Sequence, residues 1–139
     1  MLFVDASALV KLYVSEPGSE VVERALDCAD SVAVCWLSYA ECLAAFHRRA
    51  RDKSLTANEL DAIVERFNQD WQKVNVVLET AALEPLISAL VARQPLRGAD
   101  TVQLAAALHL RANGVSLELL CFDHKLANMA REEGLAVIE

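Results

Sequence analysis

The chain is poor in residues that loosen structure. With 4 Gly and 3 Pro in 139 residues, it has too few for a disordered tract or a long linker. Aromatic residues make up 6% against 55% hydrophobic residues, so the core is expected to be aliphatic, built of Leu, Val and Ala. No apolar run approaches the roughly 18 residues that suggest a membrane span. The opening MLFVDASALV lacks a basic leader and carries Asp5 inside its apolar stretch, so it reads as a first strand rather than a signal peptide. No C-x-x-C pair occurs; Cys28, Cys35, Cys42 and Cys121 read as free core thiols of a protein in a reducing cytoplasm rather than as a zinc site. A Gly-rich phosphate loop and a G-x-S-x-G nucleophile turn are also missing.

Charge of one sign is in short supply too: 13 Lys and Arg stand against 20 Asp and Glu, a formal net charge of -7. That balance argues against a nucleic-acid partner without excluding one. The positive charge is concentrated in HRRARDK, around Arg48, Arg49, Arg51 and Lys53, with Arg93, Arg97 and Lys125 elsewhere. Divalent cations held by the acids would also invert the local field.

What is present is an alternation of strand and helix periods. Short apolar runs at residues 2–5, 31–35, 74–78, 117–121 and 135–138 predict strands. Helical spacing predicts helices at about 6–14, 19–29, 38–52, 56–73, 80–93, 99–113 and 123–133. Gly114 and Gly134 are the expected stops of the last two. Pro85 is expected to be tolerated near the start of its helix. Ser38-x-x-Glu41 and Thr56-x-x-Glu59 both have capping-box spacing, and the helices they open should pair as an antiparallel hairpin. Trp36, Phe46, Phe67 and Trp71 are too scattered along the chain for a stacking platform and are expected to pack the core or a dimer surface. Alternating strands and helices imply one parallel sheet with helices on both faces, in a single domain over 1–139.

Four acids stand out against this pattern: Asp5, Glu41, Asp100 and Asp123 all fall at or just after strand-to-helix junctions. Each alone has a structural explanation. Asp5 and Asp123 suit N-caps, Asp100 suits a first helical turn, and Glu41 suits the capping box of Ser38. Jointly they mean more, because a parallel sheet puts its strand-to-helix junctions on one edge, where open sheets bind ligands. Carboxylates gathered there need cations. Hard oxygen donors without His or thiolate favour Mg²⁺ or Mn²⁺, and such ions support phosphodiester hydrolysis. A haloacid-dehalogenase-like phosphatase would need D-x-D where this chain has Asp5-Ala6-Ser7, and a phosphoreceiver an acid ending the middle strand, where none precedes Glu79.

The chain resembles the PIN-domain ribonucleases, in particular the VapC-like toxins of toxin–antitoxin pairs. The likeness covers essentially the whole sequence. It is carried by D-x-S at Asp5 and Ser7 with ALVKLYVSEPGSE following, by SYAECLAAFHRR around Glu41, by LRGADTVQLAAAL around Asp100, and by FDHKLANMAREEGL around Asp123. It implies an α/β PIN-like fold with a central parallel sheet of about five strands. It further implies Mg²⁺- or Mn²⁺-dependent endonucleolytic cleavage of RNA, a homodimer, and inhibition by a cognate antitoxin. Asp5 and Asp100 then look like the principal metal ligands; Glu41 and Asp123 complete the pocket and help orient the attacking water. Ser7 matches a supporting polar position, with a bond to its own backbone as the alternative. Cys121 and His124 depart from the Ser or Thr and the Arg common in the family, which leaves one supporting hydrogen bond and one RNA contact open. A non-catalytic PIN-like binding module and a metal-dependent phosphatase remain as other readings.

Overall fold

Five short strands line up in a computed structural model that describes residues 1–78, 80–93 and 95–139. They are β1 (Leu2–Val4), β2 (Val32–Cys35), β3 (Asn75–Val77), β4 (Glu118–Leu120) and β5 (Ala136–Ile138). Seven helices separate them: α1 (Ala6–Tyr13), α2 (Ser19–Asp27), α3 (Leu37–Arg51), α4 (Ala57–Trp71), α5 (Thr80–Arg93), α6 (Gly98–Ala112) and α7 (His124–Glu132). The sheet order is β3-β2-β1-β4-β5 and every pairing is parallel. All the strands and helices predicted from the sequence are present, with ends within a few residues. Glu79 and Gln94 lie outside the described residues.

Strand alternation divides the core between the two faces. Phe3, Ala33, Cys35 and Leu119 turn toward α5, α6 and α7, whose Leu83, Leu90, Leu104 and Leu126 are buried with them. Leu2, Val4, Val34 and Leu120 turn the other way, onto α1–α4, against Leu9, Val22, Phe46 and Phe67. A sheet covered on both faces needs strands that are apolar throughout, which is why these segments read as continuous hydrophobic runs. On the α1–α4 side, Tyr13, Tyr39, Phe46, Phe67 and Trp71 form a connected cluster with ring centroids 5.2–5.7 Å apart. The aromatics scattered along the sequence thus meet in space, because α3 and α4 pack as the predicted hairpin; Trp36 stays outside, 40% exposed.

Two local expectations are corrected and two are met. The box at Thr56 and Glu59 forms, with both reciprocal bonds in place. The one at Ser38 and Glu41 does not: α3 starts a residue earlier, Trp36 occupies its N-cap position without a side-chain bond, and Ser38 is buried inside the first turn. Pro85 falls in the second turn of α5 and the helix continues through it, as expected. Cys28 is exposed just beyond α2, whereas Cys35, Cys42 and Cys121 are buried free thiols.

Strand order fixes where a site can lie. From β1 the chain adds β2 and then β3 on one side, crosses back through α5 and α6, and adds β4 and β5 on the other. The order therefore reverses between β1 and β4, and the crevice beyond their carboxyl ends is the expected ligand position.

Candidate active site

Asp5 and Asp123 flank that reversal. Asp5 follows β1 directly and is only 5% exposed. It caps α1, its Oδ2 accepting a hydrogen bond from the Ser7 N–H at 2.9 Å. Asp123 follows β4 and caps α7, its Oδ1 accepting from the Lys125 and Leu126 N–H groups at 2.9 and 3.0 Å. The capping role anticipated for both is real. It engages one oxygen of each carboxylate, leaving the second outside those bonds.

Asp100 lies in the first turn of α6, where the helix dipole favours an acid. Glu41 lies in the second turn of α3 and has no capping partner; its Oε2 instead accepts a hydrogen bond from Nε2 of Gln103 on α6, at 2.7 Å. The structural explanation for Glu41 therefore falls away.

Electrostatics ties the four together. Burial raises the pKa of Glu41, and the charges of Asp5 and Asp100 raise it further, opposed by the Gln103 hydrogen bond. Asp100 is raised first by desolvation, then by Asp123 and Asp5, with Arg97 pulling it back. Asp5 is raised by its burial against the hydrogen bonds of Ser7 and Cys121. Each acid thus enters the environment of at least one other, as the shared sheet edge requires. Among the described residues, however, no three His, Cys, Asp or Glu side chains are gathered tightly enough to enclose an ion. The donor set, carboxylate oxygens around a crevice, suits a hard divalent ion. Asp5, Glu41, Asp100 and Asp123 are the residues that could hold one.

Neighbouring groups brace this edge. Ser7 Oγ accepts the Phe122 N–H at 2.9 Å, so the hydroxyl fastens α1 to the segment that carries Asp123 rather than to its own backbone. Cys121 Sγ lies 3.7 Å from Asp5 Oδ2 and 3.9 Å from Ser7 Oγ. Burial pushes its pKa up to about 12, so it stays a thiol and a weak donor where a hydroxyl would be a stronger one. His124 points away to Glu139, Nδ1 to Oε1 at 3.2 Å. The basic run occupies the far end of α3 from Glu41, and Arg49 there is paired with Glu16.

Two groups important to the site were not read from the sequence. Gln103 sits in an otherwise apolar stretch, TVQLAAAL, and a lone amide on a buried helix was the signal available. Gly18 has φ +97°, and a Cβ on it would lie 2.7 Å from the Phe122 ring. The ring also receives Lys11 Nζ at 4.8 Å from its centroid, so the turn after α1 is seated on the residue preceding Asp123.

Comparison with known proteins follows the same outline. The PIN domain family model matches residues 2–132. Ribonuclease VapC45 of Mycobacterium tuberculosis strain CDC 1551 and Ribonuclease VapC49 of strain H37Rv are each 34% identical over 137 residues, spanning 99% of this chain and 94% of the relative. A toxin–antitoxin complex from Klebsiella pneumoniae superposes with TM-score 0.71 at 15% identity, covering 100% of this chain and 97% of the other. Mycobacterium tuberculosis VapC20, described as a sarcin-ricin loop cleaving toxin, gives 0.70 at 18% identity, covering 98% and 97%. At these identities the solved structures speak to the fold.

Proposed function

Because the chain belongs to the PIN-domain family, on its VapC side, we propose that it is a metal-dependent endoribonuclease toxin. Its substrate is RNA, its cofactor Mg²⁺ or Mn²⁺ held by Asp5, Glu41, Asp100 and Asp123, and its regulator a cognate antitoxin. The reading is supported by the gathering of four acids from separate segments near the reversal of strand order, Asp5 and Asp123 directly beyond β1 and β4 and Glu41 and Asp100 close enough to feel neighbouring carboxylates. Folding alone gains nothing from that crowding.

A divalent ion bound there would supply the positive charge that a phosphodiester and its attacking water require. The chain's own groups do the rest. The Ser7 N–H fixes Asp5 and the α7 N-terminus fixes Asp123, so both carboxylates meet the ligand in set orientations. Glu41, held from the side by Gln103, would complete the acidic pocket and help orient the attacking water. Apolar packing on both faces of the sheet confines solvent access to the strand ends.

The likeness to a toxin–antitoxin complex supports a protein partner, and a homodimer is part of the same proposal. Among the described residues no helix is long and apolar enough to cross a membrane. The test is direct: protein freed of any antitoxin is expected to cleave RNA with Mg²⁺ or Mn²⁺ and to stop in chelator. Persistent cleavage in chelator, by protein shown to be free of contaminating nuclease, would overturn the assignment.

A further inference from the structure

Gln103 is 2% exposed, inside a stretch of α6 in which Thr101 and Leu104 to Leu108 are also buried. Its Nε2 lies 2.8 Å from Ser38 Oγ and 2.7 Å from Glu41 Oε2. A carboxylate only accepts, so the nitrogen, not the oxygen, must face Glu41. Ser38 and Glu41 are three residues apart and so neighbours on one face of α3. The two hydrogens of a single amide serve both. Meanwhile Gln103 Oε1 is buried with no hydrogen-bond partner among the described residues.

An arrangement of this kind is poor as mere packing. An unsatisfied buried acceptor is destabilising, and a Met or Leu would occupy the same place without that cost. Places where a chain breaks a local rule with no packing gain are expected at functional sites. What the amide achieves is orientation. α3 and α6 belong to opposite faces of the sheet and are joined here beside the strand ends, with Glu41 held by one oxygen and Ser38 bracing the amide.

We propose that Gln103, anchored by Ser38, is a positioning residue that aims the Glu41 carboxylate into the crevice shared with Asp5 and Asp100. The inference rests on the four-acid crevice being the cleavage centre. It adds to that reading a relay from Ser38 through Gln103 to Glu41, whose first two members touch neither substrate nor ion.

The test compares Gln103→Met, which keeps the volume and removes both donors, with wild type and with Glu41→Gln, singly and combined. Three quantities are read: Mn²⁺ affinity by calorimetry, melting temperature in chelator, and kcat and KM for RNA cleavage. Gln103→Met is expected to melt near wild type without metal, to bind Mn²⁺ roughly tenfold to a hundredfold more weakly, and to lose kcat with KM little changed. In the Glu41→Gln background, read at higher Mn²⁺ concentration, the same substitution should change affinity by no more than about twofold, since the two residues act as one unit. Ser38→Ala should show a smaller loss with the same dependence on Glu41, and it serves if Gln103→Met fails to fold. Unchanged Mn²⁺ affinity in Gln103→Met, or an equal loss in both backgrounds, overturns the relay while leaving the cleavage centre intact. A wild-type protein that neither binds Mn²⁺ nor cleaves RNA takes down both.

Discussion

Asp5 has two roles that substitution can separate. Its side chain caps α1 through the Ser7 N–H, and its charge sits nearly out of solvent beside Glu41 and Asp100. Asp5→Asn keeps an oxygen for the cap and deletes the charge; Asp5→Ala deletes both. Asn and Asp cap about equally well, and Ala forfeits about 1 kcal/mol. In a chain of 139 residues that difference is worth about 3–5 °C in melting temperature. Relative to wild type, Asn also escapes the desolvation and repulsion that raise the Asp5 pKa. In chelator, Asp5→Asn is therefore expected to melt at or above wild type, and Asp5→Ala about 3–5 °C below Asp5→Asn. Activity should separate differently. Loss of a principal ligand removes several kcal/mol of metal assistance, and about 4 kcal/mol corresponds to roughly a thousandfold in rate, so both variants should be close to inactive. Thermal melts in chelator and RNA cleavage in Mn²⁺ read the two roles independently. An Asp5→Asn protein that unfolds would make Asp5 a structural anchor, and one that cleaves at the wild-type rate would remove it from the site.

Two further outcomes follow from the same geometry. Asp5, Glu41 and Asp100 all have raised pKa values in the folded chain, so the native state binds more protons than the unfolded state. Their contribution to metal-free stability is fully present below the ordinary carboxylate range and is lost as pH rises through the raised values. A divalent ion removes that loss, so the melting-temperature gap between Mn²⁺-loaded and metal-free protein should widen from pH 5 to pH 7; a gap independent of pH would contradict the coupling. Gly18→Ala must adopt φ near +97° and push into the Phe122 ring. It should lose at least about 1–2 kcal/mol in urea unfolding and, through the Phe122 N–H that holds Ser7, part of its cleavage rate; unaltered stability would show that the turn can move away without cost.

Much of this molecule was readable from its residues because the strongest signals were periodic. Continuous apolar runs gave the five strands, and helical spacing gave the seven helices. Acids at and just after strand ends pointed to one candidate edge, because parallel connections bring strand-to-helix junctions together. The misreadings came where two explanations shared one spacing. Ser38 and Glu41 satisfy a capping box on paper, yet the helix begins at Leu37, which moves Ser38 indoors and frees Glu41 for a partner 62 positions later. That pairing joins helices on opposite faces of the sheet, and no local pattern encodes it. The aromatic cluster escaped for the same reason, its members being drawn from α1, α3 and α4.

The placement of β4 beside β1 has a consequence for timing. Asp5 is synthesised long before Asp123, yet they flank the same crevice, and the Phe122 N–H that locks Ser7 arrives only with the later segment. A nascent chain that has folded α1–α4 against its first strands holds Asp5 and Glu41 without Asp100, Asp123 or the wall that β4 provides. The four acids can border one crevice only after residue 123 has left the ribosome and β4 has paired with β1. A chain that stops short of Asp123 lacks part of this acidic edge by topology.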